Sequence, residues 1–153
     1  MRKVSSILAV TVLVMVSACD RDSTGPAKRN NGTMSAVIDG VAWSAISIAT
    51  DSTAPSSIVI QGSNAIQKIV IAIPVSPGPG TQVVGSTTPV FAGLVSGSQS
   101  WLASRTQGGA GSITLRIVEP GHIAGTFEFT LAAHDGALPS ERRVGSGQLD
   151  VRY

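Results

Sequence analysis

Apolar side chains recur at every second position in several short windows of this 153-residue chain. Nowhere do they recur at helical spacing over three turns. The clearest window runs from Ile123 to Ala132, where Phe127, Phe129 and Leu131 share one face and Glu128 lies on the other. Ser112 to Val118 repeats the pattern, with Ile113, Leu115 and Ile117 in phase. Val144 to Tyr153 closes the chain with Leu149, Val151 and Tyr153 in phase. Successive side chains of a strand point to opposite faces, so this period predicts half-buried strands whose apolar faces need a second layer over them.

Short β-branched runs bounded by Gly, Pro, Ser and Asn extend the pattern toward the N-terminus. Met34 to Asp39 leads through Asp39-Gly40, a strong hairpin signal, into Val41-Ala42-Trp43, and Ala45 to Thr50 continues that strand after a bend. Ser57 to Gln61 and Lys68 to Ile73 are separated by Gly62-Ser63-Asn64. Lys68 to Ile73 is apolar on both faces, as a central strand is. Pro74 to Gly80 is a loop, and Thr81 to Val84 a short edge strand. Val90 to Val95 and Ser100 to Arg105 form a further pair, and Thr106 to Gly111 is a turn. The tally is about nine short strands, which predicts a single all-β domain over 33–153, an antiparallel β-sandwich or barrel-like fold. A low charged fraction, 13%, and 17 glycines with 8 prolines suit that class. A domain of this size buries roughly two-thirds of its unfolded surface, enough for one core without disulfides.

The N-terminus reads differently. Met1-Arg2-Lys3 is a short positive segment, and Val4 to Val16 is a 13-residue apolar run followed by Ser17-Ala18 and Cys19. That order of charge, apolar run and small residues is the order of an export signal, with its one predicted helix in the apolar run. As a helix the run would span only about 20 Å, short of the roughly 30 Å hydrocarbon core of a bilayer. Val16-Ser17-Ala18-Cys19 resembles the lipobox of bacterial lipoproteins. The resemblance implies that 1–18 is a signal peptide cut between Ala18 and Cys19, and that the Cys19 thiol carries diacylglycerol. Cys19 is the sole cysteine of the chain, so this assignment also accounts for a lone thiol in an exported protein. Acyl chains such as palmitate would hold the protein on a membrane of the cell envelope, at the outer membrane or its periplasmic face. Asp20 to Gly32 lacks large apolar residues and reads as a flexible tether, so 19–32 is the lipidated cysteine with its linker.

Removal of Arg2 and Lys3 leaves nine basic against nine acidic residues, so the mature chain is formally neutral and the pI near 9.1 of the full chain misleads. From Thr33 onward six basic residues face seven acidic ones, and only Arg142-Arg143 are adjacent. Nucleic-acid binding needs a clustered basic face, so it is excluded as an expectation.

The stretch Ile38-Asp39-Gly40-Val41-Ala42-Trp43, with Gly125-Thr126-Phe127-Glu128-Phe129 and Gly147-Gln148-Leu149, resembles a family of small bacterial lipoproteins with a domain of unknown function. The resemblance spans nearly the whole domain. It implies an all-β lipoprotein and brings no activity with it.

Candidate sites are few. His122 and His134 are the only histidines, and with Cys19 lipidated too few ligand types remain for a zinc centre; both read as solvent-exposed turn or strand-end residues. His134-Asp135 would need a serine hydroxyl to act as a triad, and no Gly-x-Ser-x-Gly elbow is present. The glycine clusters near Gly78 and Gly108 are turns, not phosphate loops. Trp43 reads as core, and Trp101, between Ser100 and Leu102, as the candidate exposed aromatic for ligand binding. No cofactor, metal or catalytic residue is expected. The expectation is a non-enzymatic binding or interaction module, with an envelope protein or small ligand as partner. A small barrel carrying an apolar ligand is the alternative, and a hydrolase comes third.

Overall fold

The computed structural model describes residues 32–52, 57–74, 76–84 and 90–153. The signal peptide, Cys19 and the tether expected at the N-terminus lie outside the described residues. Within them the chain is all-β, as expected, with no helix. The strands are β1 (Gly32–Ile38), β2 (Val41–Ser44), β3 (Ser47–Asp51), β4 (Ser57–Ser63), β5 (Gln67–Pro74), β6 (Gly80–Val83), β7 (Phe91–Ser96), β8 (Gln99–Ala103), β9 (Ala110–Glu119), β10 (His122–His134) and β11 (Glu141–Arg152).

Three pairs of these strands are halves of longer legs. At Ala45-Ile46 the chain bends: Ala45 N–H donates to Met34 O and Ile46 N–H to Ser63 O, each at 2.9 Å. β2 therefore bonds to β1 and β3 to β4, so one bent strand links both sides of the sheet. A strand that changes partners at a bend turns a corner in this way. β8 and β9 lie end to end along one edge of β10, β8 opposite Ala132–His134 and β9 opposite His122–Thr130. β6 and β7 lie in the same manner against β9 and β8. Each leg then neighbours the next in sequence, and β1 pairs β11 to close the circuit. The result is an up-and-down antiparallel barrel, the barrel-like member of the two architectures expected. At the end that holds the turns at 39–40, 64–66 and 97–98 and the loop at 135–140, here the far end, pairing runs from β2 through β1, β11, β10, β8, β7 and β5 to β4. At the opposite, near end, Gly32 sits beside Val151, and no strand pairing joins β5 to β6 among the described residues.

Local sequence explains the tight turns. Asp39 and Gly40 both take positive φ, 48° and 85°, as a two-residue type I′ turn requires. Asn64 closes the β4–β5 turn by accepting the Ile66 and Gln67 N–H groups at 3.0 and 2.8 Å. β4 consequently runs through Gly62 and Ser63, which the sequence reading placed in the turn.

The barrel interior is filled by side chains from every leg, among them Met34, Trp43, Ile60, Ile71, Leu94, Trp101 and Phe127, each at most 4% exposed. Burial of each large aliphatic or aromatic side chain contributes about 1.5–3 kcal/mol, and no buried polar or charged residue among the described ones offsets it. Room is short around Gly62, where an added Cβ would stand 2.5 Å from Met34 Sδ and 3.1 Å from Trp43 Cη2.

Bulges change the phase that alternation alone predicts. The register of β9 slips where Ala124 faces Ile117 and Gly125 faces Leu115. Arg116 is the extra residue, so Ile117 is turned outward at 36% exposure and Val118 packs against the core in its place. Tyr153, expected in apolar phase, lies past the end of β11 and is 43% exposed. β5 buries Ile69, Ile71 and Ile73 and leaves Val70 and Ala72 half-buried, so it is covered fully on one face only. In β11 a slip puts Gly145 and Ser146 opposite the single residue Glu128.

Candidate functional site

The residues singled out in the sequence fall into separate places. Trp101 is 1% exposed, so the open stacking platform expected there does not exist. Its ring faces inward from β8, its indole N–H donates to Pro139 O at 2.6 Å, and the Arg142 guanidinium covers its face. Neighbours Ser100 and Leu102 carry no information about this, because the burial comes from β11 and the 135–140 loop. Trp43 is core, as expected.

The two histidines are engaged rather than free in turns. His122 opens β10 with its side chain 15% exposed, Nε2 lying 2.9 Å from Asp150 Oδ1 and Nδ1 4.0 Å from Glu119 Oε2. The two carboxylates lie at different ring nitrogens, an arrangement that bridges β9, β10 and β11 at the near end. His134 has Nε2 3.2 Å from Asp135 Oδ2 and Nδ1 3.3 Å from Gln107 Oε1. Both nitrogens thus face acceptors other than a serine hydroxyl. No group of three His, Cys, Asp or Glu side chains suited to a metal ion occurs among the described residues.

A site that the sequence reading missed lies on the outer face of β9, β10 and β11. Two shallow concavities meet there at Glu128. One, of about 350 Å³, is lined by Ser112, Thr114, Thr126, Ser146 and Gln148, with Phe127 and Gly147 between them. The other, of about 380 Å³, is lined by Ala110, Gly111, Thr130, Arg143 and Gly145, with Phe129 and Val144. Glu128 belongs to both.

The dip has a local cause. Gly145 contributes no side chain to the outer surface, and a Cβ there would meet nothing within 4 Å. The bulge spreads Gly145 and Ser146 across one opposing residue, with Ser146 at φ 50°. Hydroxyl and amide side chains stand around this low ground. Thr114 Oγ1 pairs with Thr81 Oγ1 at 2.9 Å, which carries the hydroxyl row onto β6. Phe127 and Phe129 turn their rings inward, stacked at 5.6 Å between centroids, so the groove has no aromatic platform. Glu128 takes part in no ion pair among the described residues. Arg143, at the other end of the groove, is directed to Glu141, with Nε 3.3 Å from Oε1. The groove therefore presents an open carboxylate amid donors and acceptors, a surface suited to a polar ligand. The sequence held one sign of it, the Gly145-Ser146-Gly147 run inside an otherwise alternating strand, which points to a bulge.

A family model described as a domain of unknown function, DUF6252, matches residues 30–145. The chain belongs to this family. The match takes in every strand from β1 to β10 and the start of β11, so the groove lies within the DUF6252 region except for Ser146, Gly147 and Gln148. The expectation of an all-β domain of unknown function is met at that level. No curated protein and no solved structure matches the chain significantly.

Proposed function

We propose that this DUF6252 chain is a lipid-anchored protein of the cell envelope whose barrel is a non-enzymatic binding module, with the groove at Glu128 as its binding surface. The observation that carries the binding reading is the contrast between a filled interior and an open polar groove outside. The anchor reading rests on the export signal and lipobox that end at Cys19. The tether Asp20–Gly32 would reach at most about 45 Å when extended, and it joins the barrel at the near end. The far end and the flank of β9–β11 are then free to meet a partner.

The carrier reading keeps one observation in its favour. An eight-legged up-and-down barrel is an architecture that can hold one small ligand, and the buried Trp43 indole N–H has no partner. The tight contacts at Gly62 weigh against it.

Growth with a clickable fatty acid tests the anchor. Label on the wild type and its loss in Cys19→Ser is the expected pair of results. An unlabelled wild type, or label that persists in Cys19→Ser, removes the anchor from the proposal.

A further inference from the structure

We propose that the groove takes an amine-bearing, hydroxyl-rich ligand of amino-sugar chemistry, with the ligand's ammonium group seated on Glu128. This deepens the groove reading above and rests on it. Glu128 stands where the two concavities meet, so a ligand spanning both must pass over its carboxylate. No cation of the described chain neutralises it, and Arg143 is directed to Glu141 instead. An anionic ligand would be repelled by this carboxylate and a neutral one would offer it only uncharged donors, whereas an ammonium group adds opposite charge to the hydrogen bond.

The rest of the groove fits hydroxyls. Ser112, Thr126, Thr130 and Ser146 each present a group that both donates and accepts, and Gln148 presents one of each. Their alternation along β10 is matched to an extended ligand: Thr126 and Thr130 lie about 13 Å apart along the strand, longer than a single sugar ring. With Phe127 and Phe129 buried, stacking contributes nothing, so recognition rests on charge and hydrogen bonds and weakens with salt.

The test is calorimetric titration of the detergent-solubilised full-length protein with two probes, a glucosamine tetramer and its fully N-acetylated counterpart. The glucosamine tetramer is expected to bind, and acetylation to weaken binding about tenfold or more, since it removes the charge and keeps the hydroxyls. Glu128→Gln is expected to erase that preference. Gly145→Trp, at a position where an added Cβ meets nothing within 4 Å, fills the groove and is expected to abolish binding of both probes. Equal binding of both tetramers, or a preference unchanged in Glu128→Gln, overturns the amine assignment while leaving the groove in place. Binding undisturbed by Gly145→Trp overturns the groove and the amine assignment together. Binding of neither probe overturns the amino-sugar assignment alone.

Discussion

The Arg142 guanidinium lies over the face of Trp101, 4.8 Å from the ring centroid. Its side chain is only 16% exposed, and its Nε engages the Asp39 carboxylate. The stack thus joins β11 to β8 and to the β1–β2 turn at the far end of the barrel. Arg142→Lys keeps the charge but not the planar group that covers the ring. It is expected to lower unfolding free energy by about 0.5–2 kcal/mol in urea denaturation. An unchanged midpoint would show that the ring contact adds nothing.

Asp39 belongs to the Ile-Asp-Gly-x-x-Trp run and makes more than a turn. Its Oδ1 accepts the Arg143 N–H at 2.8 Å, and its own N–H donates to Arg143 O at 2.9 Å. Asp39→Ala removes both side-chain contacts and places alanine at φ 48°, and should cost about 2–3 kcal/mol. Asp39→Asn keeps an acceptor and tolerates that φ, so it should cost roughly half as much. Equal losses for the two would mean that the carboxylate charge, which both variants lack, and not the backbone conformation, carries the effect.

The two glycines of the β11 bulge make opposite predictions. A Cβ on Gly147 would lie 2.4 Å from the Phe127 ring, whereas one on Gly145 meets nothing within 4 Å. Gly147→Ala is expected to destabilise by about 1–3 kcal/mol through overpacking, and Gly145→Ala to stay near neutral. Thermal unfolding of the pair measures both, and similar midpoints would contradict the bulge geometry.

Strand alternation made Phe127, Phe129 and Leu131 legible as core and Glu128 as exposed, because no bulge intervenes within that face. It failed at Ile117 and Tyr153, where one extra residue at Arg116 and the end of β11 break the phase. Trp101 was misjudged because its cover comes from Arg142 and Pro139, distant in sequence and unmarked by local pattern. The groove was hidden for a related reason. Its Ser and Thr residues come from three strands and read singly as ordinary outward positions. The barrel closure at Ala45-Ile46 was visible only as a bend, since hydrogen-bond partners on two different strands define it.

A filled interior also predicts coupling inside the barrel. Gly62→Ala pushes on Met34 Sδ and should cost about 1–3 kcal/mol. Combination with Met34→Val, which shortens the opposing side chain, should cost less than the sum of the two single changes. Strict additivity in denaturant titrations would mean that space remains around Gly62, and would strengthen the carrier reading.

The most direct measurement is in-cell photocrosslinking from two exposed positions, Gln148 in the groove and Ser47 on β3. A crosslinked adduct that forms from Gln148 and not from Ser47, and that disappears when Gly145→Trp fills the groove, is the predicted result. Adducts of equal yield from both positions, or none from Gln148, would contradict a binding module that works through this groove.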